Sequence, residues 1–126
     1  MATATLTGGN VTFHTNDDDK DYNTSLTVNV LLGETRIAGF GGVFAKFGDN
    51  SDAGPFALLV HNPAVTRDEL LKRGGAVLIY IAPSGNDTWR FNFLVDLIFS
   101  DGGHLISRAN GVELTQDARE QRFGIE

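Results

Sequence analysis

With 126 residues, no cysteine, a formal net charge of −6 and a pI near 4.9, the chain has the size of one domain and lacks a disulfide framework, a thiolate metal site or a thiol nucleophile. The acidic balance argues against nucleic acid and against a bare anionic membrane as partners, and a hydrophobic content of 41% is too high for a disordered chain. No basic segment leading into an apolar stretch opens the chain, and no apolar run approaches the ~20 residues of a membrane-spanning helix, so a soluble protein without a signal peptide is expected.

Period-two alternation sets most of the elements. Residues 10–14 read as a first strand. Residues 26–32 read as a second, with Leu26, Val28, Val30 and Leu32 on one face and Thr27 and Asn29 on the other. Shorter strands follow at 35–40, 43–47 and 56–61. Residues 66–74 form the one helical segment: Thr66 and Glu69 stand at capping-box spacing, acids fill the first turn, bases the last, and Gly74 stops it. A strand at 76–82 precedes the longest one, 89–100, in which Trp89, Phe91, Phe93, Val95, Leu97 and Phe99 share a face. The pairs Asp101-Gly102 and Asn110-Gly111 suit tight hairpin turns and predict a C-terminal meander with strands at 104–108 and 112–115. Residues 116–126 remain as a polar tail or edge segment. Many short strands with one short helix specify a single all-β domain over residues 1–126, an antiparallel β-sandwich of about eight strands.

Between the first two strands, Asn16-Asp17-Asp18-Asp19-Lys20-Asp21 packs four carboxylates into six residues. Carboxylates this close raise one another's pKa values unless a positive charge neutralises them, and hard oxygen donors suit Ca²⁺. The EF-hand pattern does not apply: its sixth position is Tyr22 instead of glycine and its twelfth is Val28 instead of glutamate. In an extended backbone Asp17, Asp19 and Asp21 point one way and Asp18 and Lys20 the other, so the odd-numbered three are the first candidates. Calcium takes roughly six to eight oxygens, which calls for further loops. Asp49, Asn50 and Asp52 form one candidate set, Asn86 and Asp87 another, and Asn16 completes the first. A solvated acidic connection is the competing reading of the run.

No catalytic machinery is visible. His14, His61 and His104 lack any zinc-ligand spacing and read as structural or surface residues; no Gly-x-Ser-x-Gly occurs, and no nucleophile can be paired with a base. Trp89 reads as core.

The stretch Val11-x-Phe13-x-Thr15-Asn16-Asp17-Asp18, followed by Asn23-Thr24-Ser25-Leu26-x-Val28-x-Val30-x-Leu32-Gly33, resembles the opening of the PLAT and C2-like β-sandwiches, and residues 89–101 are similar to their tryptophan-led strand. About a third of the chain is covered, and the Gly-x-Gly-Thr-Asp of the PLAT first loop is absent. The resemblance implies an eight-stranded sandwich, loop-bound calcium and a non-catalytic role in docking, with Asp17, Asp19 and Asp21 inheriting the ligand role by loop position. The expected function is therefore a non-enzymatic calcium-binding module that recognises a lipid headgroup, a sugar or a protein through its acidic loops. The alternatives are a metal-independent structural or oligomer-forming sandwich and a calcium-dependent lectin.

Overall fold

The computed structural model describes residues 4–21, 23–43, 46–83, 85 and 87–125. They form nine strands and one helix in the order β1 (Leu6–Asp18), β2 (Ser25–Leu32), β3 (Thr35–Val43), β4 (Ser51–Ala57), β5 (Leu59–Val60), α1 (Arg67–Lys72), β6 (Gly75–Ala82), β7 (Thr88–Phe99), β8 (His104–Thr115) and β9 (Glu120–Gly124). Two antiparallel sheets result, one ordered β4-β1-β7-β8 and the other β5-β3-β2-β6-β9. The all-β sandwich read from the sequence is the observed architecture.

Alternation places the core as expected. Leu26, Val28 and Val30 of β2 and Val77, Ile79 and Ile81 of β6 face Phe13 of β1 and Trp89, Phe91, Phe93, Val95 and Leu97 of β7. Each of these side chains contributes about 1.5–3 kcal/mol on burial. Helix α1 has the capping box that its sequence announces: the Thr66 hydroxyl accepts from Glu69 N at 3.1 Å and Glu69 Oε1 accepts from Thr66 N at 3.2 Å. Gly74 follows the C-cap with φ 78°, a conformation that stops the helix.

Several boundaries differ from the sequence reading, and the strand expected at 56–61 is divided between the end of β4 and the short β5, which belong to different sheets. β1 continues to Asp18, so Asn16, Asp17 and Asp18 belong to a strand end and not to a loop, with a register shift between Thr15 and Asp18 against β7. The expected strand at 43–47 is not separate: β3 runs to Val43, residues 44–45 lie outside the described residues, and Phe47 makes an isolated bridge to Lys20. Asn110-Gly111 is not a hairpin turn. β8 passes through it unbroken, and the register moves from Phe91↔Val112 to Phe93↔Ala109, which accommodates one extra residue in a bulge with Gly111 at φ 66°. The segment 116–126 divides into a connection and the edge strand β9.

Register also sorts the connections by end. Asp18 lies opposite Arg90, Thr15 opposite Ser51, Leu26 opposite Val43, Ser25 opposite Ala82, Thr88 opposite Thr115 and Tyr80 opposite Glu120. The connections β1–β2, β3–β4, β6–β7 and β8–β9 therefore gather at one end. The β2–β3 turn, α1 and the β7–β8 turn gather at the other.

Candidate cation site at the acidic end

The acidic end rests on an aromatic cluster. Trp89 and Phe91 stack with ring centroids 3.8 Å apart, and Phe13 and Phe47 pack on Trp89 at 5.3 and 5.6 Å. The Trp89 indole donates to Thr15 Oγ1 at 3.1 Å, which satisfies the only polar atom of a side chain with no exposed surface.

Lys20 is the organising residue of this end. Lys20 and Phe47 exchange backbone hydrogen bonds of 3.1 and 3.0 Å, which pins the β1–β2 connection to the β3–β4 connection. The lysine side chain is wholly buried. Its ammonium donates to the carbonyls of Thr24 at 2.7 Å and Asp21 at 3.2 Å and sits 4.8 Å from the centroid of the Phe47 ring. Burial pulls the ammonium below its ordinary 10.5, and Asp87 followed by Asp21 oppose that pull. Alternation alone would turn Lys20 to the same side as Asp18; the register shift before Asp18 removes that parity, and Lys20 turns inward.

Asp87, immediately before β7, is a buried carboxylate whose charge acts on this ammonium. Its Oδ2 accepts from Thr24 Oγ1 at 2.6 Å and from Asp21 N at 3.1 Å, while its backbone N donates to Gln116 Oε1 at 3.1 Å. One aspartate thus joins the β1–β2, β6–β7 and β8–β9 connections.

The remaining candidates are dispersed around this core. Asp17 is exposed, with Oδ2 3.5 Å from Arg90 Nη1; the same guanidinium donates to Glu113 at 2.7 Å. Asp19 lies 3.4 Å from Lys46. Asn16 donates from Nδ2 to Asn92 Oδ1 at 3.0 Å, and its carbonyl accepts from Asn50 N at 3.0 Å, with Asn50 in the left-handed region at φ 52°. Asp49 is exposed on the β3–β4 connection and close enough for Asp18 to feel its charge. Asp52 stands on β4 beside His14, 2.7 Å from its Nδ1, on the outer face of the sheet. Asn86 lies outside the described residues.

What these placements create is a cleft of about 360 Å³ lined by Asp18, Asp19, Asp21, Asp87, Thr88 and Gln116. Burial, then Asp87 and Asp19, push the Asp21 carboxyl up against weaker opposition from Lys46 and Lys20. Burial also raises Asp18; Arg90 opposes it, and Asp17, Asp19 and Asp49 add to it. Negative charge is in surplus here. All donors in the cleft are oxygens, the chemistry that a hard divalent cation requires. Among the described residues, however, no three aspartate, glutamate or histidine side chains stand close enough together to hold a metal ion without rearranging.

Sequence reasoning missed Lys20, Asp18 and Gln116. Lys20 and Asp18 were on the wrong side of an assumed extended backbone, and Gln116 enters only because register brings Thr115 opposite Thr88. The chain matches no protein-family model and none of the curated proteins. Among the described residues no helix is long and apolar enough to cross a membrane.

Proposed function

We propose that this chain is a non-enzymatic β-sandwich module whose acidic end takes up Ca²⁺ and, once ordered by it, recognises a lipid headgroup, a sugar or a protein. The observation that carries the reading is the cleft lined by four carboxylates and one carboxamide, with Lys46, Arg90 and the buried Lys20 as the cations near them. An ion entering the cleft displaces Lys46 from Asp19, an exposed pair worth about 0–1 kcal/mol, and relieves the mutual repulsion that raises Asp18 and Asp21. On this reading the ligands are Asp18, Asp19, Asp21 and Asp87 with the Gln116 carboxamide oxygen, of which Asp19, Asp21 and Asp87 are already candidates in the sequence. The resemblance to PLAT and C2-like sandwiches points the same way.

A dissociation constant near ~10⁻³ M, in the range of extracellular calcium modules, stabilises the fold by about 1.4 kcal/mol at ~10 mM calcium. The expected outcome is a melting midpoint about 3–6 °C higher in calcium than in chelator. Asp19→Asn with Asp21→Asn should remove that difference.

A second reading has its own observation. Lys20 already ties the β1–β2 connection together through the Thr24 and Asp21 carbonyls and places a positive charge that Asp87 and Asp21 feel, which supports a metal-independent structural or assembly surface. Under it, melts in calcium and chelator superimpose, and the double asparagine variant is more stable than the parent in both.

A further inference from the structure

The outer face of the four-stranded sheet is a grid whose rows follow from strand register. Across β1, β7 and β8, Thr12 stands opposite Leu94, and Leu94 opposite Arg108. One row toward the acidic end, Asp52, His14 and Asn92 are neighbours, and Asn92 Oδ1 accepts from Gly111 N at 2.9 Å, which draws the β8 bulge alongside. One row the other way come Asn10, Asp96 and Ile106. Facing residues on neighbouring strands lie about 5 Å apart, so these side chains form one continuous surface. Two cavities cover it, about 670 and 320 Å³ in volume, and both are lined by Leu94 and Arg108. Those volumes fall in the range of small-ligand sites.

Two acids share this face with Arg108, and each is in a hydrogen bond with a histidine, Asp52 with His14 and Asp96 with His104, both at 2.7 Å. Arg67, Arg73, Arg90 and Arg122 each reach a carboxylate elsewhere. Arg108 is exposed and, among the described residues, has no hydrogen bond or ion pair. A free guanidinium fork in a chain of net charge −6 is matched to a planar anion, and a carboxylate takes it bidentately. Beside it Leu94 is 40% exposed, an apolar step flanked by the neutral hydrogen-bonding groups of Thr12, Asn92 and Asn110.

We propose that this face binds a uronate-bearing saccharide: the carboxylate lies on Arg108, ring hydroxyls meet Thr12, His14, Asn92 and Asn110, and the C–H face of the sugar lies on Leu94. An acidic peptide would use Arg108 and leave most of the neutral groups idle. A phosphate dianion would call for more than one cation. The site is separate from the acidic end and needs no metal.

The test is an NMR titration of the isotope-labelled protein in chelator, using a trigalacturonate, the neutral galactose trimer and a triglutamate peptide as probes. The expected result is amide shifts confined to residues 12–14, 92–94 and 106–111, with the uronate binding about tenfold tighter than either comparison probe. Arg108→Gln, an exposed substitution that leaves the fold intact, should bring the uronate down to the level of the neutral trimer. Equal binding of the three probes, equal binding by Arg108→Gln, shifts centred on the acidic end, or no shifts at millimolar uronate would each overturn the proposal. Because chelator is present throughout, loss of calcium binding cannot mimic any of these outcomes.

Discussion

Asp21 and Asp101 occupy opposite ends of the same sandwich, and their carboxyls are pushed in opposite directions. Asp101 is held below the ordinary 3.8 by the Gly103 N–H at 2.8 Å and by the Arg67 guanidinium, which donates to both of its oxygens at 3.2 and 2.9 Å. Asp21 is raised by burial and by Asp87 and Asp19. At the α1 end Arg67 pairs with Asp101 and Arg73 with Glu69, and the first of these pairs is a latch that ties the helix to the β7–β8 turn. At the acidic end the carboxylates outnumber the cations. Structural ion pairs close upon themselves, whereas a surplus of one sign in a cleft stays open to a further ligand.

The largest effect that separates the two ends is expected from Lys20→Met. Methionine fills much of the volume but leaves the Thr24 and Asp21 carbonyls without the donor that the ammonium gives them, and a buried acceptor left unsatisfied costs about 1–3 kcal/mol. Urea denaturation measures it, and Asp87→Asn in the same background should recover part of the loss, since the two residues are coupled. A pH signature accompanies this change. The folded ammonium has a lowered pKa, so as pH rises toward 10.5 the native state releases its proton before the unfolded state does, and stability rises over that interval. Lys20→Met should abolish that alkaline rise. A variant within about 1 kcal/mol of the parent would show that Lys20 does not organise the acidic end.

Much of the fold is legible in the chain because its signals are local. The twelve residues of β7 alternate without interruption, and Thr66 and Glu69 carry their cap within four positions. The acidic end is not local. Asn16 to Asp18 look like loop residues because they are polar, yet pairing with Arg90 and Ser51 keeps β1 extended beyond them. One register shift then reverses which side chains turn inward, and no pattern of hydrophobicity marks it. Asn110-Gly111 carries the same ambiguity: the dipeptide that favours a turn equally suits a bulge, and only the length of β7 opposite decides between them. Asp52 has the composition of a cation ligand, but the strand that contains it delivers it to His14.

An intermediate effect is expected from Asp21→Asn. Its raised carboxyl makes the native state take up a proton before the unfolded state as pH falls toward 3.8, so at neutral pH the charged form opposes folding. Neutralising it should add ~0.5 kcal/mol at neutral pH and remove a stability gain that the parent shows on mild acidification. Thermal melts across the acid range in chelator measure both.

The smallest effect, and the sharpest contrast in sign, is expected from Asp101→Asn. The lowered carboxyl of Asp101 gives stability that is present above 3.8 and lost as pH falls through the folded value, because the unfolded chain then binds the proton first. The pair with Arg67 is open to solvent, so the loss at neutral pH should be a small fraction of that of Lys20→Met and should shrink further in high salt. Plotted as parent minus variant, the Asp101 curve should fall on acidification and the Asp21 curve should rise. Two curves of the same slope would mean that the ends of the sandwich treat their carboxylates alike, and the surplus charge in the cleft would then have no energetic consequence for a cation to relieve.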